Sequence, residues 1–557
     1  MPWRISHGAV LYRDLFYIGG GPFSQYFNAL LFKIFGASIL TLVTANLFFV
    51  AATLGLVYQR FLAAANAFVA TTICLGIVLV FTFNEYTLTG NYNYITPYSH
   101  EALHGLLLSI VAIAFLADWL TKKRLWYAGA AGFCAGLVFL TKPDIFFALA
   151  ICTAAGFVLG AMQQKPIAHA IKSLAVFIAA FLLPLLFFFF LFLRSENPQD
   201  SLQAVVFGWT PIFQKGVVNS PFYQWCLGLD QPGVRIGQIV MQSIAVVLIV
   251  AMYAFVLKRK ETLESKCSPL VLNLILIAPL ILGAACFDWR SCGAALPLLG
   301  ICACLFAWRN HQQQSELAAF PLLWSIFGLI LLLKMGLFPR IWHYGFALGM
   351  PAFVSAVYLL LWLLPNWLEE KFTLPRCQFC KIISIPLFIG FASLFYQSEL
   401  TYADKTTVIG RGANGIFAFG PPSQIGPDIS TTLAWTKKNI PANATVAVLP
   451  EGAMLNFLTG RPNPTPCQSW EPVIMSALGP AKMTTAFEQS PPDYIYLVER
   501  DDSEFGVGPF GSPGFGADVM QWVRTNYRTV QLIGDEPFTS GKFGIEILER
   551  QSTPARQ

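Results

Sequence analysis

Long runs of apolar residues alternate with short polar segments over the first 397 residues of the chain. Because the hydrocarbon core of a bilayer is about 30 Å thick, a spanning helix needs about 20 mostly apolar residues. Compared with that length, the runs predict twelve spanning helices, near residues 37–58, 63–82, 102–119, 125–140, 143–162, 170–193, 238–257, 269–287, 294–308, 320–337, 345–364 and 382–397. We therefore expect a polytopic α-helical membrane protein.

The pattern changes at the end of the last run. From Glu399 onward no run is long enough to span a membrane, and helix-like and strand-like stretches alternate in the order TTLAWTKKNIP, TVAVLPEG, DYIYLVER, ADVMQWVRTNY, TVQLIG and FGIEILER. Such alternation is typical of a small α/β domain. The sequence thus predicts two domains, a transmembrane domain at residues 1–397 and an α/β domain at residues 398–557.

Composition supports the membrane assignment. Of the 557 residues, 55% are hydrophobic and only 12% are charged, and the mean hydropathy is +0.58. A soluble enzyme, a disordered scaffold or a coiled coil would need many more charged residues. The net charge of +6 is small and dispersed, so nothing indicates binding to nucleic acid.

Lysine and arginine are distributed unevenly between the predicted loops. Thirteen of them fall in one set of loops with 55 residues in total. These loops are residues 59–62, 120–124, 163–169, 258–268, 309–319 and 365–381. The opposite set contains nine in 114 residues. Cytoplasmic loops are enriched in Lys and Arg, so the first set should be cytoplasmic. An even number of spans then places both the start of the chain and the α/β domain outside the cytoplasm.

The outer segments contain ionisable residues, which are costly at the edge of a membrane and so indicate function. The candidates are Arg13, Asp14, His100, Glu101, Lys142, Asp144, Arg340, His343 and Tyr344. A carboxylate, from Asp14 or Glu101, can take a proton from an acceptor group, and Arg13, Lys142 or Arg340 can stabilise a departing lipid phosphate. The other residues, including His343 and Tyr344, could position the substrate by hydrogen bonds.

Two rival functions have sequence support. His100-Glu101-Ala102-Leu103-His104 is an HExxH motif, which would suit a membrane-embedded zinc metalloprotease if His343 supplied the third ligand. A transporter would need ionisable residues and broken helices near the middle of the membrane, and Lys33, Lys334 and Pro184 are the few candidates. The sequence assigns no cofactor to the transferase, although a divalent metal is possible because Asp14, Glu101 and His100 could ligate it.

Several segments together resemble the GT-C superfamily of integral-membrane glycosyltransferases. They are LYRDLFYIGGGPFSQYFNALLFKIFG, which should end in an amphipathic helix in the membrane interface, Glu101 at the end of the second outer loop, GLVFLTKPD, and the C-terminal domain. The chain looks most like the bacterial branch related to protein O-mannosyltransferases and the lipid A aminoarabinose transferase. The resemblance covers roughly residues 1–395.

This resemblance implies a polyprenyl-phosphate-linked sugar donor, a lipid, glycan or protein acceptor, and an inner-membrane enzyme whose active site faces the periplasm. It also implies inverting transfer with an acidic base in the first outer loop, while Glu101 matches the second acidic position. Relatives have an initial transmembrane helix and an acidic residue before the stretch that here reads ISHGAVLYRD, and both are absent from the printed sequence. Asp14 matches the later YRD element rather than the expected base. The resemblance therefore implies that either translation begins upstream of Met1 or the protein is a degenerate copy.

Overall fold

The computed structural model describes residues 1–88, 90, 92–163, 167–259, 278, 280–313 and 317–551. The chain forms two compact units. The first unit comprises Met1–Thr44, Phe188–Trp225 and Ala403–Gln557, and the second comprises Ala45–Phe187 and Cys226–Tyr402. The predicted domain boundary at residues 397 and 398 stays a prediction.

Helices dominate the chain as far as Ala403. Those with defined bounds are α1 (Pro2–Ser6), α2 (Phe23–Phe35), α3 (Ile39–Ala64), α4 (Ala67–Gly76), α5 (His100–Lys122), α6 (Leu125–Phe139), α7 (Pro143–Gln163), α8 (Ala168–Phe192), α9 (Pro198–Val206), α10 (Lys215–Val218), α11 (Pro221–Leu227), α12 (Pro232–Lys258), α13 (Leu296–Gln313), α14 (Ala319–Leu332), α15 (Gly345–Leu348), α16 (Met350–Tyr358), α17 (Leu364–Phe372) and α18 (Arg376–Ala403). Short π-helical segments at Ile77–Thr82 and Leu359–Leu363 continue α4 and α16.

Within the described residues, eight helical stretches are long and apolar enough to cross a membrane: Ile39–Ala64, His100–Lys122, Pro143–Gln163, Ala168–Phe192, Pro221–Lys258, Trp289–Gln313, Gly345–Phe372 and Arg376–Ala403. Three shorter apolar helices are Ala67–Thr82, Leu125–Phe139 and Ala319–Met335. Each of these stretches coincides with a predicted span, so the polytopic helical fold is confirmed. The remaining predicted span, 269–287, lies largely outside the described residues.

Helix α5 is among the most buried helices of the second unit. Its apolar stretch is 83% buried, whereas that of α8 is 11% buried. In a membrane no hydrophobic force drives helices together, so helices pack through small residues that let their backbones approach closely. A Cβ at Gly132 of α6 would lie 2.2 Å from the carbonyl oxygen of Phe177. The start of α5, which carries Glu101, is also buried.

The first unit contains the predicted C-terminal α/β fold. Its helices are α19 (Ile425–Asn439), α20 (Ala453–Thr459), α21 (Pro472–Leu478), α22 (Pro480–Gln489) and α23 (Ala517–Asn526), and its strands are β1 (Thr407–Ile409), β2 (Ile416–Ala418), β3 (Val446–Leu449), β4 (Tyr494–Val498), β5 (Tyr527–Gly534) and β6 (Gly544–Arg550). Strands β1 and β2 form an antiparallel hairpin. The other four form a sheet in the order β3-β4-β6-β5, in which only β3 and β4 are parallel neighbours. Each segment predicted as a strand or helix in this region is confirmed.

Candidate active site

His100, Glu101 and His104 lie in the first turns of α5, and all three side chains are buried. One residue after His104, a Cβ at Gly105 would lie only 2.7 Å from the Oγ1 atom of Thr141. The start of α5 therefore packs directly against the Thr-Lys-Pro-Asp turn that precedes α7. This packing makes two of the predicted outer segments neighbours.

The same turn contacts the segment around His343. The ammonium of Lys142 lies 4.8 Å from the ring centroid of Tyr344, and the rings of His343 and Tyr344 are 4.6 Å apart. Tyr92, from the second outer loop, stacks on His343 with a centroid distance of 4.1 Å. Three predicted site residues, Lys142, His343 and Tyr344, thus meet in one place, together with a tyrosine that the sequence analysis missed.

His343 has an unusual backbone and a perturbed side chain. Its φ of +53° lies in the left-handed region, which is unfavourable for residues other than glycine and often marks functional sites. Burial, together with the nearby charges of Arg340 and Lys142, lowers the pKa of His343 to about 3. The imidazole is therefore neutral near pH 7, and it can exchange hydrogen bonds with a substrate but cannot supply a positive charge.

Asp144 is held by a cation. Its carboxylate lies 3.8 Å from the ammonium of Lys334 and accepts a hydrogen bond of 3.0 Å from the backbone of Ile145. From the sequence, Lys334 was one of the few residues that could have belonged to a transport pathway. In the structure it pairs with a residue of the candidate site instead.

Arg340 is buried, with 2% of its surface exposed. Its Nη1 donates to the carbonyl oxygens of Cys226 and Phe338, each at 3.1 Å. The guanidinium also lies 4.6 Å from the ring centroid of Phe338. The guanidinium of Arg235 lies 3.5 Å from the same ring centroid. Phe338 thus brings two cations close together, and burial and Arg235 both lower the pKa of Arg340, with burial the larger cause.

A cavity of about 360 Å³ opens beside Arg340. Its lining contains three arginines, one carboxylate, several uncharged polar groups and an apolar wall: Arg235, Arg290, Arg340, Asp288, Tyr86, Gln238, Gln242, Ser291, Ile239, Ala294, Leu337, Phe338, Pro339 and Trp342. Asp288 lies 3.5 Å from Arg290, and Asp230 lies 4.0 Å from Arg235. With three guanidinium groups and one carboxylate in its lining, the cavity is suited to an anion with an apolar substituent.

Sequence reasoning missed Arg235 and Arg290. Both fall in predicted outer loops, Arg235 just before an apolar run and Arg290 in a short turn between two runs. Their position at the start of spans was a usable signal, since arginines at such points face the headgroup region. Nothing in the sequence, however, indicated that they would share a cavity with Arg340.

Arg13 and Asp14 lie in the first unit and form an ion pair of 2.8 Å. Asp14 also accepts a hydrogen bond of 2.8 Å from the backbone of Val10, and Arg13 donates to the carbonyl oxygen of Ser195 at 3.1 Å. The contact with Arg13 is the main reason that the pKa of Asp14 lies below its usual value. These contacts tie down the turn that contains both residues. The other seven predicted site residues belong to the second unit.

The HExxH motif was also a candidate zinc site. The rings of His100 and His104 are 5.9 Å apart, and His104 lies against Phe49, with centroids 6.2 Å apart. Across residues 1–88, 90, 92–163, 167–259, 278, 280–313 and 317–551, no group of three or more His, Cys, Asp or Glu is placed to hold a metal ion. In this part of the chain the two histidines therefore have no third ligand beside them.

Comparison with known proteins gives similarities of structure. No family model matches the chain. No curated protein matches it either. Among solved structures, the oligosaccharyltransferase of Archaeoglobus fulgidus in complex with Zn and sulfate is similar with a TM-score of 0.47 and 15% identity, over 86% of this chain and 60% of that one. A second structure of that enzyme, tethered to an acceptor peptide, gives a TM-score of 0.48 and 14% identity, over 96% and 66%.

ArnT from Cupriavidus metallidurans, in the apo state, is similar with a TM-score of 0.49 and 11% identity, over 98% of this chain and 91% of that one. Both enzymes are GT-C glycosyltransferases, the superfamily that the sequence motifs resemble. The chain spans 60% of the length of the first archaeal structure. At these identities and TM-scores, the similarities assign no residue role and no substrate to the chain.

Proposed function

We propose that the chain is a membrane glycosyltransferase that moves a sugar from a polyprenyl-phosphate-linked donor to an extracytoplasmic lipid, glycan or protein. The proposal rests above all on the cavity lined by Arg235, Arg290 and Arg340. Guanidinium groups bind phosphate oxygens in a bidentate manner, so the anionic part of such a donor matches this lining.

The surroundings of the cavity favour a phosphate that is attached to a lipid. Ile239, Leu337 and Pro339 contribute an apolar wall. Arg235 and Ile239 belong to α12, whose membrane-crossing stretch is only 11% buried. On the same helix Ile236 and Val240 are exposed, which gives a prenyl chain an apolar surface to follow beside the headgroup.

The transfer requires a general base and an anion site. The acceptor hydroxyl or amine loses its proton to a carboxylate, its oxygen or nitrogen bonds to the anomeric carbon, and the bond from that carbon to the phosphate oxygen breaks. The phosphate then leaves with its lipid, and the arginines together with Lys142 stabilise the negative charge. Neutral His343 and Tyr344 are suited to hydrogen bonds with sugar hydroxyl groups.

Glu101 is the proposed base. It is buried at the start of α5, beside the turn that carries Lys142. Asp14, the other predicted base, is engaged in an ion pair with Arg13 and has a lowered pKa, which makes it a weaker base. We also propose that the protein lies in the bacterial inner membrane, with the candidate site and residues 398–557 on the extracytoplasmic side.

The test is binding of a labelled polyprenyl phosphate to the full chain in lipid nanodiscs, followed by release of polyprenyl phosphate from a lipid-linked sugar. We expect the double variant Arg235→Gln/Arg290→Gln to bind at least about tenfold more weakly, which corresponds to about 1.4 kcal/mol. Arg124→Gln is the matched control, because Arg124 is an exposed arginine outside the cavity. Equal binding by wild type and the double variant would overturn the proposal.

A further inference from the structure

The β1–β2 hairpin presents an apolar pair on its outer face. Val408 and Phe417 are directly opposite each other across the two strands, and they are 54% and 69% exposed. The inner face is occupied, since Ile409 is buried and a Cβ at Gly426, in α19, would lie 3.0 Å from Thr407. The hairpin is thus held on one side, and its other side is apolar and uncovered.

This hairpin is attached to the ends of two helices that are long and apolar enough to cross a membrane. Thr407 follows Ala403, the last residue of α18, by four residues, a distance of at most about 14 Å along the chain. The side-chain oxygen of Asn414 accepts a hydrogen bond of 2.9 Å from the backbone of Ile39, the first residue of α3. Ile39 lies at the start of the apolar run of α3, so the hairpin lies near the point where a membrane-spanning α3 would enter the hydrocarbon region.

Helix α2, which leads into α3, has the polarity expected beside lipid. Its buried residues include the polar side chains of Ser24, Gln25 and Asn28. Its exposed residues include Ile34 and Phe35, the latter 70% exposed. An aqueous surface would favour the reverse arrangement, because burying polar groups and exposing apolar ones is unfavourable in water. The segments on both sides of Ile39 thus expose apolar side chains.

We propose that the β1–β2 hairpin docks on the lipid bilayer, with Val408 and Phe417 inserted among the lipids at the membrane interface. Arg411, exposed at the tip between Gly410 and Gly412, is placed to pair with lipid phosphates. The hairpin would then attach the C-terminal part of the first unit to the membrane surface at a point beyond the spanning helices. This inference is independent of the sugar-transfer proposal.

Photo-cross-linking tests the docking directly. A benzophenone amino acid is incorporated at position 417 of the full chain in nanodiscs of phosphatidylethanolamine and phosphatidylglycerol, and the products are analysed by mass spectrometry after irradiation. Leu532 on β5 is the matched control, since it is also an apolar strand residue and is 44% exposed. We expect position 417 to give at least about fivefold more lipid adduct than position 532.

A nitroxide amino acid at the same two positions gives a second measurement. Collisions with oxygen should dominate at position 417 and collisions with a polar nickel complex at position 532, because oxygen concentrates in lipid. Equal lipid adducts at the two positions, adducts only with protein, or equal nickel accessibility would each overturn the proposal. Cross-links between two copies of the chain would assign the surface to self-association instead.

Discussion

Two arginines, one in each unit, have opposite surroundings. Arg340 in the second unit donates hydrogen bonds to carbonyl oxygens and lies with Arg235 against the ring of Phe338. Arg500 in the first unit is surrounded by carboxylates: it pairs with Glu451, with Glu471 and Asp502 at 3.1 Å each, and with Glu504 at 3.7 Å. One site gathers cations, and the other gathers anions around a single cation.

The pKa values follow this difference. Burial lowers the pKa of Arg340, and neighbouring Arg235 lowers it further. Burial also acts to lower the pKa of Arg500, but the carboxylates of Glu451, Glu471 and Asp502 outweigh it and raise that pKa. Four carboxylates thus surround the single cation of Arg500. The cavity beside Arg340 instead has three arginines in its lining, of which Arg235 and Arg290 lie near Asp230 and Asp288.

The largest difference in turnover is expected between substitution of Glu101 in the second unit and substitution of Glu451 in the first. Glu101→Gln should lower turnover of a lipid-linked sugar by about 10²- to 10⁴-fold, because the general base is lost. Glu451→Gln should leave turnover close to wild type. The measurement is release of polyprenyl phosphate by the full chain in nanodiscs. Turnover by Glu101→Gln equal to that of wild type would remove Glu101 from the mechanism.

Substitution of the two arginines should have different effects on the binding of a polyprenyl phosphate. Arg340→Gln should weaken binding of a polyprenyl phosphate about 100-fold, or about 2.7 kcal/mol, because a desolvated charge-assisted interaction is lost. Arg500→Gln should not change binding. Circular dichroism of both variants controls for folding, and a matching loss of binding in both would contradict the comparison.

For the free energy of unfolding we expect the reverse, with the larger effect from substitution of Arg500. Arg500→Gln leaves several carboxylates facing one another, and the side chain of Asp502 is only 1% exposed, so we expect the first unit to lose about 2 kcal/mol of unfolding free energy. Arg528→Gln is the control, since Arg528 is 68% exposed and pairs with Glu549; its cost should be about 0.5 kcal/mol or less. Hydrogen exchange of the β3 and β4 amides measures the loss of unfolding free energy in both variants. Equal losses would mean that the carboxylate cluster has no special role.

The smallest effect is a difference in pH dependence. The pKa of His343 is lowered to about 3 by burial and by the charges of Arg340 and Lys142. Its contribution to stability is therefore present above its unfolded pKa of about 6.5 and is lost as the pH falls towards 3. The pKa of Glu451 is raised to about 7 by burial and by Glu471. The folded state then holds the proton longer than the unfolded state, so stability falls as the pH rises from about 4.5 to about 7.

Hydrogen exchange at pH 5, 6 and 7, corrected for intrinsic rates, should thus show opposite slopes in the two units. The Glu451 carboxylate is 46% exposed, so solvent screening should limit its effect to about 1 kcal/mol. Glu451→Gln should reduce the slope of the first unit, part of which also comes from Asp502, whose pKa burial raises to about 6. His343→Gln should flatten the slope of the second unit. Slopes of the same sign in both units would contradict these assignments.

Local features were predictable residue by residue. The Gly345–Phe372 stretch was identified because its apolar run matches the length of a span. Strand β4 was identified because DYIYLVER combines β-branched and aromatic residues between turns. The candidate site was predicted only in part: Lys142, His343 and Tyr344 do meet, whereas Asp144 pairs with Lys334. That pairing was not predictable from the sequence, since Asp144 and Lys334 are 190 positions apart.

The sequence by itself determined the helical membrane fold, the C-terminal α/β elements and the segments between helices that carry ionisable residues. These properties depend on the length and periodicity of neighbouring residues, which are local quantities. Only the tertiary structure decided that Arg235 and Arg290 share a cavity with Arg340, that carboxylates surround Arg500, and that the face of Val408 and Phe417 is uncovered. The electrostatic character of a side chain depends on burial and on charges brought from distant segments, and packing alone fixes both.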